Sequence, residues 1–155
     1  MLYFAYGANT NRDAMARRCP DAEPIGVGVL HDAALKFKGC ADVVPAKGHQ
    51  VFGVLWDISR RDERALDIFE GYPTLYLKRM VTVTHNGRRV SAMMYAMTSR
   101  TTLRLPSPAY EQTLCEGYEE FDLPLLQIGH AITEAKRAES KRFKKLAAQM
   151  KLHIA

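Results

Sequence analysis

The chain has 155 residues, with 22 lysines and arginines against 17 aspartates and glutamates and a formal charge of +5. Its 47 % hydrophobic and 25 % charged content is ordinary globular usage, which excludes wholesale disorder, and the length suits one domain over residues 1–155. No apolar run approaches the ~20 residues of a membrane helix, so no membrane contact is expected, and Met1–Tyr6 is too brief for a secretory leader. Cys19, Cys40 and Cys115 are dispersed and form no Cys-x-x-Cys pair, which reads as free thiols in a reducing, cytoplasmic setting.

In chain order, Leu2–Tyr6 reads as a strand stopped by Gly7, and Asn11–Cys19 as a short helix ended by Pro20. Ile25–Phe37 is strand-like with an interruption at His31–Asp32, and residues 39–49 read as a loop. Val51–Ile58 is a nearly continuous apolar run, as a central strand should be. Ser59 then caps a helix with Asp62 and Glu63 in its first turn; Ala65, Leu66 and Phe69 form its stripe, and Gly71 with Pro73 closes it. Leu75–Thr84 and Arg88–Met97 are strands about Asn86-Gly87, a two-residue turn that needs positive φ at both positions. A loop at 98–108, a helix over Ala109–Glu120 and a connection from Pro124 lead to the tail.

The charge is concentrated there. Residues 131–155 hold seven basic side chains (Lys136, Arg137, Lys141, Arg142, Lys144, Lys145, Lys151) against Glu134 and Glu139, so the first 130 residues balance at 15 of each sign. Phe143, Leu146, Ala147, Met150 and Ile154 fall at helical spacing, which predicts an amphipathic C-terminal helix with one docked face and one solvated basic face. A nucleic-acid reader carries its basic footprint on the folded body, so nucleic acid is not expected. The element order predicts an α+β fold with a mostly antiparallel or mixed sheet.

Much familiar chemistry is missing. His31, His49, His85, His130 and His153 show no ligand spacing, so no metal is expected, and there is no Gly-x-Ser-x-Gly elbow, dinucleotide fingerprint or phosphate loop. Two segments stand out instead. Tyr3-Phe4-Ala5-Tyr6-Gly7-Ala8-Asn9 runs from a strand into a small-residue turn whose backbone N–H groups could face an anion or oxyanion. It also reads as a plain strand-to-helix turn with Asn9 as cap. In the second, Glu70 ends a helix where the dipole disfavours negative charge, flanked by Ile68, Phe69 and Tyr72. Both effects would raise its pKa toward neutrality; the plainer alternative is an exposed helix-end glutamate, with Asp67 a surface or capping group.

Together these segments resemble the γ-glutamylcyclotransferase family, an AIG2-like superfamily. Leu2–Asn9 resembles its opening Tyr-Gly-Ser-Asn signature, with Ala8 in the serine's place; Gly53–Trp56 and Leu66-Asp67…Glu70-Gly71 resemble its central strand and glutamate-bearing helix. Tyr95–Thr98, Pro106–Tyr110, Gly117 and Leu123-Pro124 follow in order, so the likeness spans residues 2–126. The resemblance implies a compact mixed, barrel-like β-sheet with flanking helices. It implies a cofactor-independent enzyme of glutathione metabolism that converts a γ-glutamyl amide to 5-oxoproline and a free amine. Glu70 would be the catalytic acid/base, with Tyr3, Phe4, Ala5, Tyr6, Gly7, Ala8, Asn9 and Tyr110 holding the small-molecule γ-glutamyl substrate. Homodimer formation is left open. The alternative is a non-catalytic γ-glutamyl-binding or regulatory module whose basic C-terminal helix contacts a partner or nucleic acid.

Overall fold

A computed structural model describes residues 1–98 and 102–152, without the side chain of Leu152. The strands are β1 (Leu2–Ala5), β2 (Glu23–Phe37), β3 (Ala41–Asp57), β4 (Tyr76–His85) and β5 (Arg88–Met97). The helices are α1 (Arg12–Arg18), α2 (Arg60–Glu70), α3 (Pro108–Glu120) and α4 (Leu125–Leu152), and Ala8–Thr10 forms a 3-10 turn between β1 and α1. The sheet closes into a barrel in the order β1-β3-β2-β4-β5, with β1 and β5 parallel and the other neighbours antiparallel. The expected α+β class and mixed, barrel-like sheet are therefore both present.

Close backbone approach shapes the barrel near β1. A side chain at Gly53 would put its Cβ 2.3 Å from the Ala5 carbonyl oxygen and 2.7 Å from the Phe4 ring, so only glycine lets β3 lie this close. Phe4, Phe37, Val51, Val54, Leu55, Leu66 and Val83 are fully buried in the interior this creates. The Asn86-Gly87 hairpin has φ of 47° and 73°, as its turn type requires. Likewise, Asp32 at φ 53° marks the predicted interruption of β2, where the register with β3 shifts between His31 and Ala33.

Of the expected loop at residues 39–49, only Gly39 and Cys40 lie outside a strand; the other residues are not a loop. From Ala41 onward they belong to β3, pairing Phe37 with Ala41 through Ala33 with Pro45. Gly48, His49 and Gln50 are polar because this part of the ribbon faces solvent, a pattern that composition alone reads as loop. The C-terminal helix also differs from expectation. It begins at Leu125, directly after Pro124, and docks through Ile128, Ala131 and Ala135, all buried. The stripe expected to dock does not: Phe143, Leu146 and Met150 are 74 %, 56 % and 58 % exposed, and Ile154 lies outside the described residues. No described helix is long and apolar enough to cross a membrane.

Candidate active site

Glu70 is the last residue of α2, and both helix ends are fixed locally. Ser59 accepts from the Asp62 N–H at 3.1 Å while the Asp62 carboxylate accepts from the Ser59 N–H at 3.0 Å, a complete capping box. At the other end Gly71 turns left-handed at φ 64°, and the N–H groups of Gly71 and Tyr72 return to the carbonyls of Ile68 and Asp67. That turn holds the Glu70 side chain against the barrel mouth. There it meets the end of β1.

The meeting place is a hollow of about 160 Å³. Tyr3, Tyr6, Gly7, Ala8 and Asn9 form one wall; Phe69, Glu70 and Leu75 face them; Cys40, Ala41, Tyr76, Tyr95 and Tyr110 complete it. Of the residues singled out from sequence, Phe4 and Ala5 are not in the lining. Phe4 points the other way, over Gly53 and Gly28, and Ala5 pairs with Val54 in the sheet. Strand alternation sets Phe4 on the face opposite Tyr3. Of the apolar residues beside Glu70, only Phe69 lines the hollow; Ile68 is 84 % exposed and Tyr72 lies beneath the Lys78 ammonium.

The Glu70 carboxyl is held by one residue of the opposite wall. Asn9 Nδ2 donates to Glu70 Oε1 and to the Tyr3 hydroxyl, both at 3.0 Å. Asn9 Oδ1 in turn accepts from Arg18 Nη1 at 2.7 Å, and the Arg18 guanidinium stacks 3.6 Å over the Phe69 ring. Asn11, not Asn9, caps the first helix, accepting from the Ala14 N–H at 2.9 Å. Burial drives the Glu70 pKa up to about 7, against the opposing pull of Arg18 and the Asn9 hydrogen bond. The tyrosines lining the hollow are also pushed up, chiefly by burial, and stay neutral phenols.

Several phenols serve the frame. Tyr6 donates to the Tyr95 carbonyl at 2.6 Å, Tyr76 to the Ala41 carbonyl at 2.9 Å, and Tyr95 to the Asp67 carboxylate at 2.6 Å. Asp67 is thus no surface group: it also pairs with Lys78 at 2.9 Å and fixes Tyr95 in the wall. The Tyr110 hydroxyl accepts from the Ala41 N–H at 3.1 Å, and a Cβ at Gly7 would stand 3.0 Å from that oxygen. Here glycine is required by space and not by φ. In the turn after it, the Thr10 and Asn11 N–H groups bond to the Gly7 and Ala8 carbonyls, which leaves those of Ala8 and Asn9 outside the turn's own ladder.

Sequence reading missed Arg18, Cys40, Ala41, Leu75 and Tyr76. Nothing in their local patterns marks them, since barrel closure alone assembles them. Tyr95 stood within a recognised landmark without an assigned role. Among the described residues no cluster of three His, Cys, Asp or Glu could hold a metal ion. The hollow offers one carboxyl poised near neutrality and a small enclosing cage of neutral aromatics. Such a set can move a proton while shaping a compact polar ligand.

Residues 3–118 match the gamma-glutamyl cyclotransferase, AIG2-like family. A gamma-glutamylcyclotransferase of Bos taurus is 33 % identical over 138 residues, covering 80 % of this chain and 73 % of its own. The Homo sapiens gamma-glutamylcyclotransferase is 32 % identical over the same shares of the two chains. A solved gamma-glutamyl cyclotransferase structure superposes with a TM-score of 0.75 at 30 % identity, covering 83 % of this chain and 85 % of that one.

Proposed function

Because the chain belongs to the gamma-glutamyl cyclotransferase, AIG2-like family, we propose that its hollow folds a γ-glutamyl amide onto itself and releases 5-oxoproline, with Glu70 as the proton carrier. The observation that carries this reading is a single carboxyl, raised to a pKa of about 7, facing the Gly7 bend across the cavity.

The reaction asks for conformation and proton transfer. The substrate's α-nitrogen attacks its own γ-carbonyl carbon, a carbon–nitrogen bond closes the five-membered lactam, and the bond to the leaving amine breaks. Nucleophile and electrophile are already tethered, so enclosure in a near-attack conformer supplies much of the acceleration. A hollow of about 160 Å³ is smaller than the usual ~300–1,000 Å³ ligand site and suits a γ-glutamyl arm alone. Glu70 as carboxylate takes a proton from the attacking nitrogen, and as carboxylic acid returns it to the departing nitrogen. A pKa close to the working pH lets one group serve both steps. In this reading the Asn9 N–H, with that of Ala8 beside the Tyr110 hydroxyl, would receive the γ-carbonyl oxygen or the α-carboxylate.

Ala8 contributes only a methyl where the family has a serine hydroxyl, so backbone donors carry this edge of the site. A cytoplasmic setting, among the reactions of glutathione metabolism, is part of the proposal. It is supported by Cys19, Cys40 and Cys115 all being free thiols. The test is incubation with a panel of γ-glutamyl amides and detection of 5-oxoproline by mass spectrometry. Glu70→Gln should lower turnover by about 10²–10⁴-fold, the usual worth of a general acid/base, while the fold is retained. A Gln variant keeping more than about a tenth of the rate would remove Glu70 from that role.

A further inference from the structure

The far end of α4 stands out in solvent. Its near half is buried on the barrel through Ile128, Ala131 and Ala135, and two polar ties follow. Glu139 accepts from the Leu105 N–H at 3.0 Å, and Arg142 donates to the Leu103 carbonyl at 2.7 Å. From Phe143 to Lys151 every residue except Ala147 is exposed.

Two features of this segment coincide. Phe143, Leu146 and Met150 fall at i, i+3 and i+7, so with Ala147 they form one stripe, and each of the three is more than half exposed. Large apolar side chains aligned in this way mark a contact surface, where scattered ones would not. The remaining surface is basic. Lys141, Arg142, Lys144, Lys145 and Lys151 are five positive side chains over residues 141–151, which hold no Asp or Glu. By helical spacing Lys144 and Lys151 flank the stripe on one side and Arg142 and Lys145 on the other, with Lys141 behind it.

The charge decides which occupant suits the stripe. A second copy stacked stripe to stripe would set these cations against one another, with no acid in the segment to pair them. A nucleic acid would take the cations and leave the stripe in water. An anionic bilayer takes both, because the apolar side chains enter the acyl boundary while the flanking lysines extend their stems to the phosphates.

We propose that residues 141–151 of α4 are a membrane-surface anchor, lying in the headgroup plane of an anionic phospholipid bilayer and holding the barrel against it. The sequence expectation of no membrane contact rests on the lack of a spanning run, and a helix lying in the interface needs none. The proposal is independent of the reaction in the hollow.

Co-sedimentation of the full-length protein with vesicles tests it, using phosphatidylcholine alone and phosphatidylcholine mixed equally with phosphatidylglycerol. The anionic vesicles should bind at least about tenfold more tightly, and the difference should shrink as salt is raised. Lys144→Gln, Lys145→Gln and Lys151→Gln together should weaken that binding about a hundredfold, at roughly fivefold for each charge. Phe143→Ser with Leu146→Ser should weaken it at least about tenfold. Emission from Phe143→Trp, corrected for the buried Trp56, should shift to the blue with the anionic vesicles alone. All these positions are exposed, so circular dichroism and thermal midpoint without lipid should match the natural protein. Equal binding to both vesicle types, or none to either, would overturn the proposal. So would serine variants that bind as well as the natural protein, since the contact would then be charge alone. A dimer in ultracentrifugation that the serine variants dissolve would give the stripe to a second copy and overturn it as well. Duplex DNA stripping the protein from the anionic vesicles would likewise assign the segment to nucleic acid.

Discussion

The carboxamide nitrogen of Asn9 lies 3.0 Å from the carboxylate oxygen Oε1 of Glu70, joining the first turn of the chain to the end of a helix 61 residues later. The other end of that carboxamide is fixed by Arg18, which requires the oxygen to face the guanidinium and so points the nitrogen at Glu70. Arg18 therefore sets both the orientation of Asn9 and part of the field on the carboxyl. Replacing it with methionine removes the positive charge that holds the Glu70 pKa down. The acidic limb of the kcat/KM profile, where the required carboxylate is lost, should move to higher pH, with activity falling most at and below neutrality. A pH–rate series checks this; Arg18→Lys should restore the limb only in part, since lysine cannot reproduce the planar fork. An unmoved limb would make Arg18 a purely structural group.

A second consequence of burying Glu70 is thermodynamic. Its pKa is raised to about 7 in the folded protein against a free value of 4.5, so the folded state binds the proton more tightly than the unfolded one. Between those values the native state carries more protons, and stability falls as pH rises through the window. The full effect above pH 7 is at most ~3 kcal/mol, at 1.36 kcal/mol per unit of pKa difference. Glu70→Gln cannot titrate. Its stability relative to the natural protein should therefore climb between pH 5 and pH 8, measured by denaturant titration at each pH. A difference independent of pH would contradict a buried carboxyl.

How far the sequence reaches can be judged from these same residues. Glu70 and the Gly7 bend were legible because each breaks a local rule: an acid at the wrong end of a dipole, and small residues where a strand becomes a helix. Asn86-Gly87 and the Ser59 cap were legible for the same reason, as positions where chemistry and backbone conformation agree. Arg18 and Leu75 carry no such mark, because their importance comes from barrel closure between distant elements. Residues 41–49 misled for a different reason. A ribbon that faces water on one side has the composition of a loop, and only its pairing with β2 distinguishes the two. The tail misled again, since the periodicity of Phe143, Leu146 and Met150 announces an amphipathic helix without saying that its body lies along earlier turns.

Tyr110 separates support from binding. Its hydroxyl accepts the Ala41 N–H, so Tyr110→Phe leaves a buried donor without its partner at the edge of the hollow. The cost of such an orphan is ~1–3 kcal/mol. A fall in thermal midpoint together with a few-fold rise in KM is expected, with turnover lowered less than in Glu70→Gln. Unchanged stability and kinetics would exclude the hydroxyl from shaping the site.

Gly117 offers a test at a distance. It lies in the middle of α3, outside the hollow, and a Cβ there would stand 2.5 Å from both the Asn11 backbone nitrogen and Thr10 Oγ1. These atoms belong to the turn that carries Asn9, and Thr10 is itself fully buried with its hydroxyl on the Gly7 carbonyl at 2.9 Å. Gly117→Ala must push the helix away from the turn or move the turn toward Glu70. Overpacking of this kind costs ~1–3 kcal/mol, opposed by alanine's helix preference over glycine of ~1 kcal/mol. Stability should therefore drop modestly. Activity should drop further than stability explains, because the Asn9–Glu70 contact depends on a placement finer than the shift the methyl demands. Assays well below the thermal midpoint, where the variant is fully folded, distinguish the two losses. Full activity in the folded variant would show that the turn and Glu70 need not be held in register for the reaction.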